Sequence, residues 1–83
     1  MARSPPAWPI PSAVLSIERT SRGKLVVELD NGQVWHQLDS DNTIVPLPDE
    51  RSGMTAEIRE RMLGSTSIEL SGTGRWFRAT RIR

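Results

Sequence analysis

From Ala13 onward the apolar residues fall in short runs, cut by turn residues every six to ten positions. VLSIER (14–19) meets the turn-like TSRG, and KLVVEL (24–29) meets Asp30-Asn31-Gly32 and then QVWHQL (33–38). Asn-Gly between two β-rich segments is the strongest short-range hairpin signal, because a type I′ turn needs positive φ at both central residues. A two-residue loop sets Asp30 opposite Gln33, Leu29 opposite Val34, Glu28 opposite Trp35 and Val27 opposite His36. Leu25, Val27, Leu29, Val34, His36 and Leu38 then share the core face. Val26, Glu28, Gln33, Trp35 and Gln37 share the other, which puts Trp35 outside, beside Val26.

Further along, Thr43–Leu47 reads as a short extended piece, which Pro46 restricts to an edge strand or a loop. MTAEIRERML (54–63) fits two templates. As a helix it has Thr55 as cap, Glu57 and Arg61 four apart, and Gly64 at the C-terminal stop. As a strand it alternates Met54, Ala56 and Ile58 with Thr55, Glu57 and Arg59. Local propensity slightly favours the helix. STSIELS (65–71) turns Thr66, Ile68 and Leu70 inward. After the turn Gly72-Thr73-Gly74, RWFRATRIR sets Phe77 and Ala79 on one face, and Trp76 and Ile82 on the other. Five to seven short strands close most naturally as a small antiparallel barrel, since closure removes exposed edges.

The first thirteen residues, MARSPPAWPIPSA, hold four of the six prolines and read as an extended arm ahead of a barrel domain over 14–83. They lack the basic and apolar regions of a secretory signal. The chain as it stands is therefore expected in the cytoplasm, or in the periplasm if an upstream signal has been removed. At 83 residues only one core is expected. No run is long enough to span a bilayer as a helix. The absence of cysteine excludes disulfides and thiolate chemistry, and the lone His36 cannot build a multi-histidine metal site.

The runs GKLVVELDNGQVWHQLDS, GMTAEIRERMLGS and GTGRWFRATRIR resemble a small domain common in uncharacterised proteobacterial proteins, with DNGQVW the most specific part. That domain often lies at the C-terminus, behind a Pro-rich linker. The resemblance implies an all-β, SH3-like barrel. It also implies that 54–60 is a strand, because Ala56 and Ile58 fall on the family's alternating Val and Ile. Met54 stands where the family usually has Asp. No catalytic residue comes with the resemblance.

The candidate chemistry is that of binding. An exposed Trp35, flanked by Val26 and Gln37, suits stacking against a partner, and Trp8 in the arm is a second aromatic anchor. This predicts a non-enzymatic module for protein–protein contact through that face, the arm, or both. The alternative is a single-stranded nucleic-acid site on Arg75, Trp76, Arg78 and Arg81, where phosphate contacts combine with base stacking. A net charge of +1 and the acids Asp39, Asp41, Asp49 and Glu50 weigh against it. A further alternative is a self-assembling subunit, held by the segregation of charge. Asp39 to Glu50 has the spacing of a calcium loop, but Ile44 occupies the position that needs Gly, so an Asx-turn loop is the better account. No metal, cofactor or small-molecule substrate is implied. Without a second His, a Cys or a nucleophile elbow, no catalytic residue is expected.

Overall fold

The computed structural model describes residues 11–60 and 66–83. They form six strands: β1 (Pro11–Arg19), β2 (Leu25–Leu29), β3 (Val34–Gln37), β4 (Thr55–Glu60), β5 (Thr66–Leu70) and β6 (Trp76–Arg81). All neighbours pair antiparallel, in the closed order β1-β2-β3-β6-β5-β4. No helix among the described residues is long and apolar enough to cross a membrane.

The two templates for 54–63 resolve in favour of a strand over Thr55–Glu60; residues 61–63 lie outside the described part. Tertiary pairing decides this, since Ala56 and Ile58 face Leu70 and Ile68 across β5 and so join an apolar interior that a lone helix could not share. β1 opens at Pro11, inside the stretch read as an arm, because Pro11, Ser12 and Ala13 pair with Glu57, Ala56 and Thr55. Between Val14 and Ser16 the register shifts by a bulge, and Leu15 is left 62% exposed.

The hairpin differs from its expected form. Leu29 N–H donates to Gln33 C=O at 2.9 Å and Gly32 N–H to Leu29 C=O at 3.0 Å, so the loop is Asp30-Asn31-Gly32. Gly32 has φ +89°, the left-handed residue that closes a three-residue loop, and the Asn31 side chain accepts from Gln33 N–H at 3.0 Å. With one more loop residue, Val26 faces His36, Val27 faces Trp35 and Glu28 faces Val34. Because side chains alternate with period two, this slip turns the whole of β3 over. Trp35 and Gln37 join the face of Leu25, Val27 and Leu29, while His36 moves outward to sit between Val26 and Thr80.

Gly32→Val tests this turn. A Cβ placed there meets no atom within 4 Å, so the main cost is that of positive φ for a β-branched residue. We expect a loss of about 2 kcal/mol and a melting temperature lower by roughly 10 °C in thermal denaturation.

The core consists of Leu25, Val27, Leu29, Val45, Met54, Ala56, Ile68, Leu70, Phe77 and Ala79. Val45 comes from the irregular segment 38–54 rather than from a strand. The expected extended piece over Thr43–Leu47 therefore serves as a plug: Val45 is fully buried, Leu47 packs on the core, and Arg19 Nη2 holds the Val45 carbonyl at 3.0 Å.

Candidate functional site

Two places in the barrel gather polar side chains, and they have different characters. The first is a lock beneath the plug. Gln37 is 1% exposed and spends its whole amide there. Its Oε1 accepts from Leu25 N–H at 3.0 Å, and its Nε2 donates to Asp41 Oδ1 at 3.0 Å and Thr43 C=O at 3.1 Å. Asp41 is 6% exposed and accepts, in addition, from Thr43 N–H at 3.0 Å and Arg78 N–H at 2.9 Å. Lys24 Nζ reaches the Asp41 carbonyl, and Arg78 Nε lies 3.5 Å from Oδ2. The Thr43 contact is the Asx turn expected of this loop. The Gln37 amide, Thr43 N–H and the Arg78 N–H groups converge on the carboxylate, and the arrangement is a structural clasp that joins β2, β3, β6 and the plug.

Burial by itself pushes the Asp41 carboxyl up, but hydrogen bonds from Arg78 N–H, the Gln37 amide and Thr43 outweigh it and hold the group at about 2, below its ordinary 3.8. The folded value lies below the unfolded one, so the clasp contributes in full above about pH 4 and is lost as the pH falls toward 2. Acid titration of stability should show a decline of about 2 kcal/mol across that window, absent in Asp41→Asn.

The second place is the opposite mouth of the barrel. Ser12, Ile58, Glu60, Trp35 and Arg81 all point inward by register, but they lie at strand ends where the interior opens. With Asn31 and Gln33 of the hairpin they line a cleft of about 420 Å³. Trp35 is half-buried and packs on the core. Its indole Nε1 donates to Gln33 Oε1 at 3.1 Å, which fixes the ring. Arg81 Nε is held by the Arg83 carbonyl at 3.0 Å. Glu60 and Arg81 share the cleft without forming an ion pair among the described residues. An apolar floor of Trp35 and Ile58 is thus ringed by one acid, one base and two amides.

The structure separates the residues expected to act together. Trp35 lies in the cleft, whereas Val26 is on the outer surface, between Glu18 and His36. Gln37 is buried in the clasp and offers nothing to a partner. Trp8 lies outside the described residues. His36 is not in the core as the two-residue loop implied; it is half-buried on the outer face, with Nδ1 2.6 Å from the Gln37 carbonyl oxygen.

The Arg-rich strand is divided as well. Arg81 belongs to the cleft, while Trp76 and Arg78 face outward. Arg59 lies over the Trp76 ring, its guanidinium carbon 4.8 Å from the centroid. Arg78 leans on Asp41, and Arg75 Nη1 reaches the Ile44 carbonyl at 3.4 Å. Ser12, Asn31, Gln33, Ile58 and Glu60 were not marked as site residues by the sequence. Their common feature, inward parity at one barrel mouth, appears only when the register is known.

Compared with protein-family models, curated proteins and solved structures, the chain matches none.

Proposed function

We propose that the protein is a non-enzymatic binding module that takes an extended segment of a protein partner into the Trp35 cleft. The observation that carries this reading is the cleft itself: a fixed aromatic ring and Ile58 at the mouth of a closed barrel, with Glu60 and Arg81 left to meet polar groups of a ligand. Backbone amides and carbonyls of an extended peptide supply such groups, and rigid aromatic anchors carry most of the energy in protein contacts. The clasp at the other end accounts for Gln37 and Asp41 without any ligand. The barrel is in this reading SH3-like, as the family resemblance implies.

Titration with single-stranded DNA and RNA at low and moderate salt tests the reading against its nucleic-acid rival. We expect no change in tryptophan emission at low salt. A salt-sensitive quench that disappears in Arg78→Glu would overturn the protein-binding assignment, because phosphate contacts release counterions and apolar contacts do not.

A further inference from the structure

The two charges in the cleft are held apart. Glu60 ends β4 and Arg81 ends β6, and β5 lies between those strands. Two ladder spacings set the strand axes roughly 10 Å from each other. Arg81 is tethered as well, its Nε to the Arg83 carbonyl at 3.0 Å, and both Nη groups lack a partner among the described residues. Glu60 makes no ion pair there either. Glu28 and Glu57, by contrast, are matched by Arg83 at 3.6 Å and Arg59 at 3.9 Å.

An apolar group accompanies each of the unmatched charges. Trp35 faces Arg81 across the β3–β6 ladder, and Ile58 precedes Glu60 by two on β4. Trp35 and Ile58 are half-buried and pack on the core, while Arg81 and Glu60 are exposed at the rim. In the closed strand order β3 and β4 stand opposite each other. One wall of the cleft is therefore an aromatic ring beside a cation, and the other an aliphatic chain beside an anion.

We propose that the segment received here is amphoteric: an apolar anchor between Trp35 and Ile58, an acidic residue on the Arg81 side and a basic residue on the Glu60 side. This composition presupposes that the cleft takes an extended peptide, and it narrows which peptide. Residues two apart in an extended chain share a face and lie about 7 Å from each other, so charges two positions before and after the anchor reach opposite rims. A carboxylate of the segment can take both Arg81 Nη groups side by side. A wholly acidic segment gains at Arg81 what it loses at Glu60, and a wholly basic one meets the converse.

Displayed random peptides selected on the full chain, then synthesised and titrated singly, test this. Those whose affinity depends on Trp35, as Trp35→Ala reveals, are expected to carry an acid and a base on either side of an apolar residue. Arg81→Glu is expected to weaken them about tenfold, and exchanging the peptide's acid for Lys to restore binding to that variant. Glu60→Lys is expected to act likewise on the peptide's base. Both substitutions fall at exposed positions, and the restored binding shows that each variant is folded. Trp35-dependent peptides that ignore both reversals, or that the exchange fails to rescue, would overturn the amphoteric segment and leave the peptide site standing. No Trp35-dependent peptide at all would remove both.

Discussion

Replacing Asp41 by Ala lowers the stability of the barrel by about 3 kcal/mol, measured by urea denaturation at neutral pH. The side chain is nearly enclosed, and three donors converge on it: the Gln37 amide, Thr43 N–H and Arg78 N–H. Removing the carboxylate leaves those donors short of an acceptor in a place that water reaches poorly. Asp41→Asn retains one carbonyl oxygen but turns a donor group toward donors, so it is expected to lose nearly as much. Gln37→Leu differs in kind, since it strips Leu25 N–H of its buried acceptor, and the two substitutions together should lose less than the sum of their separate effects. Equal and additive losses would mean that the plug is held by its apolar contacts and the polar clasp is incidental.

Phe77→Ala is expected to be more damaging, with a loss of about 4 kcal/mol and, in so small a domain, incomplete folding at 37 °C. Phe77 is 1% exposed and is the largest fully buried side chain among the described residues. It faces Ile68 across β5, and Leu25, Val45 and Leu70 belong to the same cluster. A hole of that size cannot be refilled, because the closed ladder holds all six strands at fixed spacing. Thermal denaturation followed by circular dichroism measures the loss. A drop under 1 kcal/mol would show that the barrel wall collapses inward more easily than its closure implies.

The all-β class, the five to seven strands and most of the core were legible because period-two alternation and turn residues are local signals. Leu25, Val27, Leu29, Ile68, Leu70 and Phe77 all face inward as their alternation requires. The faces of β3 were not legible, and the reason is specific. Asp-Asn-Gly serves a two-residue loop at Asn31-Gly32 as readily as a three-residue loop ending at Gly32. The choice moves no hydrophobic residue far along the chain but reverses every side chain in the strand. Choosing the longer loop exchanges His36 for Gln37 in the interior. That exchange is favourable because the Gln37 amide finds partners on β2 and in the plug, which no pattern along β3 alone could reveal. The same slip carried Trp35 from an outer face to the barrel mouth. Trp35 was therefore singled out by its residue type, and its cleft neighbours Ile58, Glu60 and Arg81 became visible only with the topology.

The measurement that bears most directly on the binding assignment is a selection of displayed random peptides on the full chain. Individual peptides would then be titrated against Trp35→Ala, Arg81→Ala and Arg78→Glu. The account predicts peptides whose affinity falls about thirtyfold or more in Trp35→Ala, falls less in Arg81→Ala, and is unchanged in Arg78→Glu on the outer face. Trp35 packs on the core, so the Arg81 variant keeps the test clear of folding defects. Peptides that bind equally well to all the variants, or no enrichment at all, would contradict a binding site at the mouth of the barrel.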